Sequence, residues 1–197
     1  MNSSVSALPL SLVSNMAQAP GPVQDNVRHT RPLPTPAVLR QRLPLSDLLA
    51  QQVSAQRQAL RDILHGDDPR LLVVVGPCSI HDADAALDYA RHLADLAPEV
   101  ADQMLLVMRA YIEKPRTTVG WKGLVYDPQL DGSGDMARGL ELSRRLMLQM
   151  IELGLPLASE LLQPLVAGYV DDLLGWAAIG ARTSESQIHR ELVSGLG

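Results

Sequence analysis

The chain has no phenylalanine, a single cysteine and an aromatic content of only 3%. A core of this composition has to be built from aliphatic side chains, and a hydrophobic content of 46% is ample for that. Cys78 has no partner for an intrachain disulfide, so a cytoplasmic setting is expected rather than a secreted scaffold. No apolar run approaches the length of a transmembrane helix. No secretory leader is expected either, because no Lys or Arg precedes the mildly apolar residues 7–13 and Pro9, Ser11 and Ser14 interrupt them. Cations are outnumbered: 17 Lys and Arg stand against 22 Asp and Glu, for a net charge of −5. That balance favours neither nucleic acid nor membrane as a partner and leaves local basic clusters for small anions.

What is present divides into three stretches. Residues 1–45 are rich in Pro, Ser, Ala and Gln, and Pro20, Pro22, Pro32, Pro34, Pro36 and Pro44 predict a flexible N-terminal arm. Residues 46–69 predict one extra helix, capped by Ser46 and ended by Gly66, with Leu49, Val53, Leu60 and Leu64 near one face. Residues 70–197 alternate strand and helix. The run at 71–75, closed by Gly76-Pro77, reads as a strand buried on both faces. Further strands are predicted at 104–108, 157–160 and 177–180. Helices are predicted at 82–96, at 135–153 and near 165–174.

This alternation argues for an α/β fold of parallel units joined by right-handed crossovers. A complete (β/α)8 TIM barrel takes about 250 residues and the alternating stretch has roughly 130, so about four strands predict the N-terminal half of a barrel. An open four-stranded sheet fits the same periodicity.

Ligands of parallel α/β folds meet the carboxyl ends of the strands, and those positions are polar here. The first strand leads to Cys78, the second to Arg109, the third to Glu160 and the fourth to Arg182. A thiolate at Cys78 suits a soft divalent metal, although the residue alone favours a buried structural thiol. His81 reads as a surface residue and Asp82 as a helix cap. Residues 109–123, RAYIEKPRTTVGWKG, carry the densest chemistry. Arg109, Lys114 and Arg116 supply cations, Pro115 stiffens the loop, Thr117 offers a hydroxyl, and Gly120 and Gly123 let backbone approach a ligand. Such a loop can bind a small polyanion or stand as a solvated surface. Glu160 fits a buried partner of one of these arginines or a group that orients water. After Arg182, Thr183 or Ser184 is expected to cap a helix on whose surface His189 lies. Asp131 to Asp135 reads as a turn, since it lacks the ligand spacing of a calcium loop.

Three segments carry a resemblance: GPCSIHD at 76–82, EKPRTTVGWKG at 113–123 and GARTSESQIHRE at 180–191. In this order they resemble the type I 3-deoxy-D-arabino-heptulosonate 7-phosphate (DAHP) synthases of aromatic amino-acid biosynthesis, from about Ser46 to the last residue. The resemblance implies condensation of phosphoenolpyruvate with erythrose 4-phosphate. It implies that Cys78 is a ligand of a divalent metal (Mn, Fe, Co or Zn) and that Arg109 and Lys114 hold phosphoenolpyruvate. Pro115, Arg116 and Thr117 would hold erythrose 4-phosphate, Arg182 the phosphoenolpyruvate phosphate, and Glu160 would help order the phosphoenolpyruvate side. It further implies a homo-oligomer and an aromatic amino-acid effector. Gly197 resembles the position where Gly accompanies tyrosine sensitivity, so tyrosine is the expected effector. Family members carry further metal ligands, a His, a Glu and an Asp, beyond the region matched here. The chain alone is therefore expected to lack synthase activity, and a non-catalytic regulatory or interface fragment or a pseudogene product is the alternative.

Overall fold

The computed structural model describes residues 32–195. Residues 1–31 of the expected arm, and Gly197, lie outside them. The element order is α1 (Pro36–Arg42), α2 (Asp47–His65), β1 (Leu71–Val75), α3 (Ala83–Leu96), β2 (Met104–Arg109), α4 (Met136–Glu152), β3 (Leu157–Glu160), α5 (Pro164–Val170), β4 (Trp176–Ala178) and α6 (Gln187–Gly195). The four strands pair in parallel in the order β1-β2-β3-β4, as expected of consecutive β/α units.

The pairing register sorts the strand residues onto two faces. Val73, Val75, Met104, Leu106, Met108 and Leu157 pack with α3, α4 and α5 in the main core. Leu72, Leu105, Val107, Ala158 and Trp176 occupy the opposite, concave face together with Leu60 of α2. Arg109 and Glu160 continue that concave face at its carboxyl end, because each follows its apolar neighbour by two residues.

Helix α2 lies across the other end. Gln52 and Gln56 donate to the carbonyls of Ile151 and Gly154 ahead of β3, and Arg57 donates to those of Asp171 and Leu174 ahead of β4. Ser46 caps it, accepting from the Leu49 amide, and Gly66 closes it, as the sequence predicts. Of its expected apolar face, Val53 and Leu60 are buried and Leu64 is exposed.

Two expectations need correction. Strand β1 is not buried on both faces: Val74 is 43% exposed on the concave side, because β1 is an edge strand and no strand among the described residues faces it there, and Leu71 at the start of the strand is 60% exposed. The arm is also shorter than its proline content predicts. Thr35 caps α1 by accepting from the Val38 amide, and Pro36 sits in the first turn, where its missing amide proton costs nothing. Leu39 is fully buried, and Arg40 donates to the Gly168 carbonyl and pairs with Asp171. Tyr169 donates its hydroxyl proton to the Pro34 carbonyl at 2.7 Å. Residues 33–45 therefore belong to the folded body.

Candidate active site

The carboxyl ends of the strands gather the polar residues that the sequence singles out. Cys78 follows β1 and is exposed, and the ammonium of Lys114 donates to its Sγ at 2.8 Å. That hydrogen bond, the Lys114 charge, and Arg109 and Arg116 behind it hold the thiol below its ordinary range. Arg109, the last residue of β2, stacks its guanidinium 3.8 Å from the Tyr111 ring centre and donates Nη2 to the Cys78 carbonyl at 3.3 Å. Its Nε is buried and has no partner in the described residues. Close approach of β1 to β2 is what allows this contact: a Cβ on Gly76 would stand 3.0 Å from the Arg109 carbonyl oxygen.

The loop between β2 and α4 doubles back on itself. The Lys114 amide donates to the Lys122 carbonyl at 2.9 Å and the Val125 amide to that of Ile112 at 3.3 Å, so the outgoing limb 112–114 lies against the returning limb 122–126. The fold brings Lys114, Arg116 and Lys122 from this loop to one open cavity of about 430 Å³ that Arg182 and Thr183 complete from the β4–α6 connection. Pro115, Thr117, Gln163 and Leu165 also line it. Four cations in one concavity, with the Thr117 hydroxyl beside them, suit a small anion carrying more than one charged group. Cys78 and Arg109 are joined to that cavity through Lys114.

Among the described residues Glu160 makes no ion pair with an arginine, contrary to one of its two expected roles. It is half-buried, and its Oε1 lies 2.1 Å from where a Cβ on Gly180 would be, so Gly180 is the space the carboxylate uses. Thr183 and Ser184 do not cap α6. Their hydroxyls donate to the carbonyls of Gly180 and Ala181, which tightens the turn carrying Arg182, and the helix starts only at Gln187. His189 is not a plain surface residue either. Its Nε2 lies 2.9 Å from the Leu162 carbonyl, which can only accept, so Nε2 carries a proton, and its Nδ1 lies 2.7 Å from Ser186 Oγ. It thereby ties α6 to the β3–α5 connection. Asp82 caps α3 and residues 131–135 form a turn, both as expected.

Sequence reasoning passes over Glu113. Its side chain is 4% exposed, accepts from the Tyr126 hydroxyl at 2.7 Å and from the Gln163 amide at 3.3 Å, and burial pushes it above the ordinary carboxylate range against those hydrogen bonds. Burial, and then the charge of Glu113, push Tyr126 up in turn. The only signal in the sequence is an acid inside an otherwise basic loop.

Cys78 is one soft donor, whereas a closed divalent transition-metal site takes three or four protein ligands. Among the described residues no three His, Cys, Asp or Glu side chains converge on such a site, so these residues do not by themselves hold the expected metal. No described helix is long and apolar enough to cross a membrane.

Comparison with known proteins places this geometry. The model of the DAHP synthetase I family matches residues 48–197. The Tyr-sensitive phospho-2-dehydro-3-deoxyheptonate aldolase of Escherichia coli K12 is 56% identical over 164 residues, covering 83% of this chain and 46% of that protein. The Trp-sensitive enzyme of Salmonella typhimurium is 53% identical over 83% of this chain and 47% of its own length. A phospho-2-dehydro-3-deoxyheptonate aldolase of Amycolatopsis methanolica is 49% identical over 184 residues, 90% of this chain and 91% of that sequence. The solved aldolase of Francisella tularensis SCHU S4 superposes with a TM-score of 0.82 at 45% identity, over 86% of this chain and 50% of its own. The chain thus spans about half the length of the Escherichia coli, Salmonella and Francisella proteins, and its four-stranded parallel sheet is a curled half-barrel rather than an open one.

Proposed function

The chain belongs to the DAHP synthetase I family, and from that premise we propose that it supplies the phosphoenolpyruvate cradle of a DAHP synthase, a transferase that condenses phosphoenolpyruvate with erythrose 4-phosphate to DAHP and phosphate. The observation that carries the reading is the convergence of Lys114, Arg116, Lys122 and Arg182 on one cavity. Phosphoenolpyruvate has a carboxylate and a phosphate a few bonds apart, so cations on two different loops suit it better than a single cluster does. In this reading Arg109 and Lys114 hold and orient phosphoenolpyruvate, and Arg182 takes its phosphate. Glu160 orders that side, while Pro115, Arg116 and Thr117 receive erythrose 4-phosphate.

Restricting both anions on rigid strand ends lowers the entropic part of the barrier before any bond changes. The divalent metal enters the proposal only in that the Cys78 thiolate would be one of its ligands, since the described residues lack the rest of its donor set. For the same reason the 197-residue chain alone is expected to bind substrate without turnover. The proposal extends to the aromatic pathway, a cytoplasmic location, a homo-oligomer and feedback by an aromatic amino acid. Tyrosine is the favoured effector, given the name of the Escherichia coli relative.

Calorimetric titration of the purified chain tests the substrate assignment. Phosphoenolpyruvate is expected to bind at least about tenfold more tightly than pyruvate or inorganic phosphate, each of which offers only one of its anionic groups. Equal affinities for the three would sink the assignment.

A further inference from the structure

We infer that Glu113 is a positioning residue, whose buried carboxylate joins both limbs of the cationic loop to the β3–α5 connection and so fixes Lys114 in the anion cavity. The inference deepens the phosphoenolpyruvate reading and rests on it for the identity of the ligand. Three elements meet at this one side chain. Glu113 itself belongs to the outgoing limb, Tyr126 to the returning limb, and Gln163 to the connection after β3. Each carries or adjoins part of the cavity wall: Lys114 follows Glu113, Lys122 precedes Tyr126 on the same limb, and Gln163 and Leu162 line the cavity directly.

The chemistry of the partners matters as much as their place. A carboxylate among lysines and arginines would ordinarily pair with one of them and cancel a charge the ligand needs. Glu113 takes its hydrogen bonds from a phenol and main-chain amides instead. It therefore organises the cations without neutralising them. A carboxylate can accept at both oxygens from donors on separate elements, whereas an amide has one acceptor oxygen and presents protons on its other side. The carbonyl of the preceding Ile112 and the Glu113 backbone itself sit within 3.0 Å of a Cβ placed on Gly123, so little slack separates the limbs that the carboxylate joins. Lys114, one residue on, is then delivered to the Cys78 sulfur at 2.8 Å.

Because Cys78 is the only cysteine, its alkylation rate reports on Lys114 without any substrate. The test measures iodoacetamide labelling of Cys78 at pH 7, and phosphoenolpyruvate affinity, in the wild-type chain, E113A, K114A and the double variant. All measurements are made well below the melting temperature of each protein. The expected result is that E113A slows labelling about as much as K114A, by roughly three- to tenfold. The double variant should be no slower than K114A, and phosphoenolpyruvate affinity in E113A should fall about tenfold.

A Glu113 that served stability alone would lower the melting temperature of E113A and leave labelling and affinity at wild-type values, and that outcome overturns the inference. Labelling that slows further in the double variant than in K114A also overturns it, since Glu113 would then act other than through Lys114. Should E113A not fold, Y126F carries the comparison, because it removes only the hydrogen bond that joins Glu113 to the returning limb; labelling slower than wild type supports the inference and an unchanged rate defeats it. A wild-type chain that does not bind phosphoenolpyruvate, yet shows the expected labelling pattern, would sink the substrate assignment while upholding the positioning role.

Discussion

Arg144→Ala is expected to destabilise the chain by about 3–5 kcal/mol, the usual result of removing one member of a buried ion pair. Arg144 is fully buried in α4. Its guanidinium forms a two-pronged pair with Asp172, at 2.7 and 2.8 Å, and donates to the carbonyls of Tyr169 at 2.9 Å and Leu43 at 2.8 Å. Truncation leaves those carbonyls without their donor and Asp172 with only the more distant Arg40, at 3.9 Å, and opens a cavity between α4, α5 and the end of α1. Lysine does not repair this, because a single ammonium cannot reproduce the planar fork. For a chain of this size the loss corresponds to a melting temperature lower by roughly 6–20 °C. Differential scanning calorimetry reads it directly, and a drop below about 2 °C would mean that Arg144 is not the tie between these elements.

Gly123→Ala is expected to disable the anion cavity as well as weaken the fold. Gly123 has φ near +120°, a conformation nearly closed to residues with a Cβ, and its Cβ would stand 2.5 Å from the Ile112 carbonyl oxygen and 2.6 Å from the Glu113 Cα. Both contacts are with backbone, so a side-chain rotation cannot relieve them. Strain and overpacking together cost about 2–5 kcal/mol, and the limbs that carry Lys114 and Lys122 have to part. Gly154→Ala is the control, since Gly154 has φ +88° but nothing within 4 Å of its Cβ. It is expected to lose about 1 kcal/mol and no affinity for phosphoenolpyruvate. Equal effects of the two substitutions on affinity would show that the collision at Gly123 does not shape the site.

The strand-end residues were legible because a parallel α/β pattern announces where its strands stop. Gly76-Pro77 marks the end of β1, Arg109 closes an apolar run, and Glu160 closes another. What periodicity could not convey are the contacts made by residues far apart in sequence. Pro34, Pro36 and Pro44 read as an arm because proline breaks helices. Yet Thr35-Pro36 is also a helix start, and only Arg144, Gly168, Tyr169 and Asp171, more than a hundred residues away, decide that α1 docks. The same holds for His189, whose spacing suits a helix surface and whose role comes from the Leu162 carbonyl. Glu113 was hidden differently. Its neighbours in sequence are the residues a basic loop is read for, and its partners Tyr126 and Gln163 give no local pattern. Val74 shows the limit in the other direction, because an apolar strand residue reads as buried whether or not a facing strand covers it.

The central claim is that cations from two strand ends act together on one anion, and the phosphoenolpyruvate affinity of K114A, R182A and K114A/R182A tests it most directly. Each single substitution is expected to weaken binding to the purified chain by about tenfold or more, and the double variant to abolish measurable binding while its melting temperature stays near that of the parent. Binding in the double variant at the strength of the wild-type chain would contradict the account.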